Sequence, residues 1–407
     1  MPQELTLQTL QDLLSGDAVA IRRVQQLLPA GGPGDKVFPP TYEGSQYAEE
    51  NRILDGREIP CVLLDSVQSQ ANRMEQALRE TFYRGQDQEA DIPIVLVDFV
   101  SAGLPEVGEL TSLDVPHRLA DAILRDSEYE GQPFPQSPIG RALTEASTSN
   151  ATGLFQFSPT SLVFGVWDST GKSGGLGTKF QRVLVGEVIA FFATKGVRPT
   201  SRIDPLGIEL DAATIYEAAD GSVWSLDANL AAKDEKGNPK KIKPSETNHG
   251  NVTPTLENHK TKQRNHGGIS FEFAKQMIVI SLPAIRRLHF PVGGREDQRR
   301  NAAAWTALTA LGIAAADLSI RKGCDLRSRC LLVPDSSRPV AWECIRGDGS
   351  VESFSIGDST RLLREAASAA EALGLPSWRR KPWVLRPSGK LVELVRRNRK
   401  SGPVVED

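Results

Sequence analysis

Residues 63–73 read LLDSVQSQANR, and the rhythm of apolar side chains changes within them. CVLLD at 61–65 is a short apolar run of buried-strand length. After it, Val67, Ala71, Met74, Leu78 and Phe82 recur at helical spacing and share one helix face. Asp65 or Ser66 suits the cap of that helix. Ser69, Asn72, Arg73 and Gln76 fall on a separate face, and Gln68 and Gln70 lie near the first turn. A helix start offers unpaired N–H groups and a positive dipole end, and Arg suits bidentate phosphate contact. Gln, Asn and Ser also contact phosphate and sugar. A plain solvated face is the alternative, but such faces are usually rich in Glu and Lys, and this one is not.

Working outward, residues 3–29 are expected to form an amphipathic helical segment ended by the Gly- and Pro-rich run 30–34. IPIVLVDF (92–99) is expected to be a buried strand. Asp114-Val-Pro116 is expected to open a helix with Leu119, Ala120 and Ile123 inward. LFQFSPTSLVFGVW (154–167) is strand-like in its second half, and a helix is expected from about Thr178 to Lys195, closed by Gly196. MIVISL (277–282) reads as a strand and residues 301–318 as an alanine-rich helix. The alternation points to an α+β chain with a split β-α-β arrangement. Residues 231–266 hold only Ile242, Val252 and Leu256 as sizeable apolar side chains. Such a segment is either a solvated loop or a projecting element that orders against a partner.

Three further constellations bear on chemistry. In WDSTGKSGGLGTKFQR (167–182), Gly171-Lys172-Ser173 follows a strand, but Walker spacing requires a glycine where Val166 stands. Nucleotide hydrolysis is therefore disfavoured, while a backbone-tracking surface built on Lys172, Lys179 and Arg182 stays open. Pro116-His117-Arg118 carries a histidine near a helix start, and His249 lies in the polar segment beside Asn251. Either histidine suits phosphate binding or general acid/base work, or His117 simply pairs with Asp121. No pattern joins them to a nucleophile. The tail SWRRKPWVLRPSGKLVELVRRNRK (377–400) interleaves Trp378 and Trp383 with Lys and Arg. That suits single-stranded nucleic acid by stacking, or equally a peripheral strand and helix with snorkelling basic side chains.

The net charge of −3 does not advertise a nucleic-acid binder, but a local basic groove can neutralise phosphates while acids elsewhere set the total. Four scattered cysteines lack both disulfide-framework and zinc spacing, which leads us to expect a reducing, cytoplasmic compartment and no metal. No run approaches the ~20 apolar residues of a membrane span, and the start MPQELTLQTLQDLL has no secretory pattern.

KVFPPTYEG (36–44), LLDSVQSQANRMEQAL (63–78), PHRLADAILRDS (116–127), SPTSLVFGVWDSTGKSGGLGTKFQR (158–182) and HGNVTP (249–254) together resemble one CRISPR-associated family. It is the Cas-seven-type backbone subunit of type I-G (formerly I-U) Cascade, within the RAMP superfamily, and the likeness covers approximately residues 36–290. The resemblance implies an RRM-like, ferredoxin-type palm with large thumb- or finger-like insertions. Its expected layout is an N-terminal segment 1–34, the palm with insertions at 35–290, and a helical, basic region at 291–407. It implies a non-catalytic, cofactor-free protein that coats crRNA in copies of itself, beside other Cascade subunits, and supports pairing with target DNA. Gln68, Ser69, Gln70, Asn72, Arg73, His117, Arg118, Lys172, Lys179, Arg182, His249 and Asn251 are the expected RNA contacts. The alternative is a RAMP-type endonuclease using a histidine as general acid/base.

Overall fold

A 12-residue strand, β1 (Ala18–Pro29), runs through the middle of the main sheet. The computed structural model describes residues 2–169, 177–209, 214–257 and 266–400. The remaining principal elements are helix α1 (Val67–Phe82), strands β2 (Leu184–Phe191) and β3 (Phe273–Ser281), helix α2 (Gln298–Arg321) and strand β4 (Trp342–Arg346). Across the sheet they stand in the order β4-β1-β3-β2, each neighbouring pair antiparallel. In chain order α1 lies between β1 and β2, and α2 between β3 and β4, each pair with a third strand between them in the sheet. This is a split β-α-β order, with further strands intervening, among them Arg57–Asp65 directly before α1. The chain is α+β, as the alternation of patterns predicts.

The chain divides into two compact units. One comprises residues 1–33, 63–191 and 273–407, and the other 34–62 and 192–272. In the first, α1 and α2 pack on one face of the sheet. Two glycines mark the close approach. A Cβ on Gly186 of β2 would sit 3.2 Å from Met74 of α1, and one on Gly312 of α2 would sit 3.3 Å from both Ile280 and Leu184. The second unit consists of short antiparallel pairs, among them Thr200–Arg202 with Val252–Thr255 and Ile215–Glu217 between Trp224–Ser225 and Lys241–Ile242. Part of the polar stretch 231–257 is therefore ordered into strands.

Several expectations need correction. Only Leu7–Ser15 of residues 3–29 is helical, with Thr6 capping it through Thr9 N–H. β1 comes next because Ile21, Arg23, Gln25 and Leu27 alternate inward. Residues 178–195 form strands, not a helix. Both faces of β2 are largely buried, so its sequence lacks the alternation that advertises a strand. Residues 154–164 belong to helices Thr152–Phe157 and Pro159–Phe164, since a continuously buried apolar run fits either element. Instead of a helix opening at Pro116, a 3₁₀ turn (Arg118–Ala120) precedes a single helical turn (Ala122–Arg125).

α2 is long and apolar enough to cross a membrane by length and composition, yet most of it is buried against the rest of the protein. It is a core helix, started by Asp297, whose carboxylate accepts from Arg299 N–H at 2.8 Å.

Under the sheet lies a layer of polar side chains. Arg23 donates to Gln25 (2.8 Å) and Gln276 (3.3 Å), Gln276 donates to Gln70 (3.0 Å), and Gln70 donates to Asp65 (2.5 Å). Asp65 is fully buried and also accepts from Arg73 Nε at 2.9 Å. Arg327 stands 3.5 Å from its other oxygen, close enough for charge attraction but outside hydrogen-bond geometry. Gln70→Leu is expected to lower unfolding free energy by about 1–3 kcal/mol, because it leaves Gln276 and part of Asp65 unsatisfied. A urea midpoint that does not move would refute the linking role given to Gln70.

Candidate nucleic-acid interface

α1 starts where the sequence indicates, with Ser66 Oγ accepting from Ser69 N–H at 3.2 Å. Its polar residues then part company. Gln68 and Asn72 are exposed and Ser69 is half-buried. Gln70, only 2% exposed, belongs to the layer under the sheet and does not reach the surface. Arg73 spends its donors internally, on Asp65 and on the backbone oxygens of Asp325 (3.2 Å) and Leu326 (2.6 Å). It ties α1 to the hairpin of Cys324–Asp325 and Leu331–Pro334 rather than offering a free fork to phosphate.

Arg118 corrects the sequence expectation most sharply. It is 7% exposed and grips Glu75 of α1 with two bonds, Nε to Oε1 at 2.6 Å and Nη2 to Oε2 at 2.8 Å. Its third donor reaches the Gly165 carbonyl at 3.0 Å, and its guanidinium lies over the Phe164 ring. Burial pushes the Glu75 carboxyl up to about 7 against the opposing pull of Arg118. To reach inward, Arg118 adopts φ +52°, the left-handed conformation that breaks the helix expected there. Its neighbour His117 stays exposed, and Asp121 accepts the backbone N–H of His117 at 3.2 Å.

Arg118 also anchors the short strand that begins after Gly165. Val166–Trp167 pairs antiparallel with Lys179–Phe180, so Trp167 faces Lys179 across the ladder. Gly165 adopts φ +83°, and a Cβ there would sit 3.0 Å from the Phe180 carbonyl, so glycine lets the two strands close. Trp167 is 55% exposed, and Lys179 Nζ lies 5.3 Å from its ring centroid. Arg182 is exposed two residues beyond the strand. Among the described residues no carboxylate lies within ion-pair distance of Lys179 or Arg182, whereas many of the chain's arginines have one. Trp167 escapes a reading by residue type because it sits in an apolar run. Lys172 lies outside the described residues.

His249 and Asn251 belong to the second unit. Asp204 organises their loop, accepting from Gly250 N–H while its own N–H donates to Asn251 Oδ1 at 2.8 Å. Asn251 donates onward to Glu209 at 2.9 Å, and the His249 ring stands edge-on to Trp224. The expected contacts therefore fall in separate places: exposed Gln68 and Asn72 on α1, His117 with Lys179 and Arg182 around the Gly165 turn, and His249 with Asn251 in the other unit.

The C-terminal aromatics are structural. Trp378 is buried and donates to the Phe155 carbonyl at 2.9 Å, and Trp383 packs on Phe157 within strand Trp383–Pro387. Basic neighbours pair with acids, Arg379 with Glu89 and Arg397 with Glu393. The stacking reading of that tail is thereby corrected. Among the described residues no group of three or more His, Cys, Asp or Glu is placed to hold a metal ion. Burial raises the Cys324 and Cys330 thiols, to about 12 and about 11, keeping both protonated near neutrality.

Arg118→Met is expected to cost about 3–5 kcal/mol of stability by leaving the buried Glu75 carboxyl without its partner, and Glu75→Leu with Arg118→Met to recover most of it. Urea unfolding of both variants reads the difference. A double variant no more stable than the single one would show that the two residues do not act as a unit.

No curated protein matches the chain. Residues 21–195, from within β1 to just beyond β2, match the family described as CRISPR-associated protein GSU0053. The match covers less than half of the 407 residues, and it supports a CRISPR-associated protein with a role in CRISPR defence alongside other CRISPR components.

Proposed function

We propose that this chain is a non-catalytic, cytoplasmic subunit that binds guide RNA in a type I CRISPR effector of the Cascade kind, lining up in copies along one guide. The observation that carries this reading is a coincidence on one stretch of chain. The CRISPR-family match contains the Gly165 turn with exposed Lys179 and Arg182, neither of which has a carboxylate within ion-pair distance among the described residues. Cations of that kind neutralise phosphates without reading sequence, which is what holding any guide requires. Specificity for target DNA then comes from base pairing by the guide.

The twice-split β-α-β sheet supports an RRM-like palm as its scaffold. Assembly has support from the second unit, which exposes Ile203 (88%), Leu206 (76%), Val223, Leu226 and Leu230. Apolar side chains grouped in one unit at such exposure suit burial against another subunit. The net charge of −3 is that of the whole chain, while Lys179 and Arg182 place cations on one exposed turn.

Single-stranded RNA is expected to bind with log affinity falling by roughly 0.7 per neutralised phosphate in log salt, independently of sequence. Lys179→Ala with Arg182→Ala is expected to reduce that slope by about 1.4. Particle mass, measured by light scattering with guides of two lengths, is expected to rise in steps of one protein copy. A chain that stays monomeric and ignores RNA at low salt would overturn the proposal. Cleavage of repeat RNA that is lost in His117→Ala or His249→Ala would favour the endonuclease reading instead.

A further inference from the structure

A cleft of about 260 Å³ opens beside the Gly165 turn. Leu162, Val183, Ala284 and Leu288 contribute apolar walls, while Lys179, Gln181 and Arg287 bring polar groups from two separate segments. Gln181 and Arg287 are exposed, and among the described residues Arg287, like Lys179 and Arg182, has no carboxylate within ion-pair distance. Pockets for drug-sized ligands run about 300–1,000 Å³, so this one suits a single ring system. Apolar walls, an amide able to donate and accept, and cations at two edges are the demands of one nucleobase with a phosphate on either side.

Trp167 adds an independent observation. It stands on the strand opposite Lys179, more than half exposed, although an indole of that size gains most from burial. Exposed aromatics beside cations act as stacking platforms for unpaired bases. Lys179 belongs to both features, touching the indole and lining the cleft.

We propose that the cleft holds one splayed-out nucleotide of a single strand, with Lys179 and Arg287 on its flanking phosphates and Trp167 stacking the neighbouring base. This rests on the RNA-binding reading above and adds that the protein grips bases by their faces as well as phosphates by their charge. Stacking on a π-face discriminates little between the four bases, so the slot remains compatible with any guide.

The test compares an RNA homopolymer with an abasic ribose-phosphate oligomer of the same length, by fluorescence anisotropy on the full chain. Trp167→Ala is expected to weaken RNA binding by about 5- to 150-fold and to leave the abasic oligomer unchanged. Trp167→Phe is expected to restore most of the loss, which separates stacking from a folding defect. Arg287→Ala is expected to weaken both oligomers and to lower the salt slope by about 0.7. RNA binding by the intact chain that Trp167→Ala leaves unchanged, or weakens equally for both oligomers, would overturn the slot while leaving guide binding in place. Competition by polyglutamate as strong as by RNA would assign the cations to an acidic protein partner and also overturn it. An intact chain that binds neither oligomer would remove the guide-binding reading itself.

Discussion

Asp65 is a carboxylate with no access to water, and a polar layer of the main sheet converges on it, hydrogen-bonding one oxygen and leaving the other to the nearby charge of Arg327. A lone buried charge is prohibitive, so partners must be delivered by elements far apart in sequence. Arg73 comes from the second turn of α1, Arg327 from the hairpin after α2, and Gln70 connects the carboxylate to Gln276 on β3 and through it to Arg23 on β1. A network of this kind is exacting in register. Moving β1 by one residue would turn Arg23 and Gln25 to the other face and leave the layer open. The apolar core supplies most of the stabilisation, as in any domain of this size, whereas the polar layer selects which strand pairing that core accepts.

The same layer explains why some elements could be read from sequence and others could not. Helix α1 was legible because its apolar stripe is unbroken, and of the two cap candidates, Asp65 and Ser66, the structure uses Ser66. Strand β3 and helix α2 were legible for the same reason, being plainly apolar on the faces they bury. β1 was not. Its inward residues read Ile, Arg, Gln, Leu, and the two polar ones erase the alternation that marks a strand. β2 failed through the opposite condition, since apolar residues occupy both of its faces. Burial of polar groups and burial of both faces each depend on partners distant in sequence, which local periodicity does not report.

The candidate site divides along similar lines. Residue type indicated phosphate-friendly side chains on α1 and around Gly165, and Gln68, Asn72, His117, Lys179 and Arg182 do lie at the surface. Gln70, Arg73 and Arg118 carry the same chemistry but turn inward, because Asp65, Glu75 and a few backbone carbonyls compete for the donors and win. An arginine on a helix face is a ligand contact only if no buried carboxylate claims it first. That is a tertiary fact. Trp167 was not singled out, since it ends an apolar run, yet it lies more than half exposed on a strand two residues long.

Glu75 and Arg118 connect the buried half of this picture to the exposed half. The pair is a costly interior feature that an apolar pair of similar volume would replace with little loss, so stability alone gives a weak reason for it. Its geometry offers a better one. With two donors on Glu75 and a third on the Gly165 carbonyl, Arg118 locks the start of the Val166–Trp167 strand onto α1. The tryptophan and the lysine opposite it are thereby carried on a rigid support although they sit at the edge of the fold. A surface meant to hold a flexible polymer gains affinity when its own side need not be ordered on binding. On this account the pair matters for the position it imposes on Gly165, beyond which Lys179 and Arg182 have no carboxylate within ion-pair distance among the described residues.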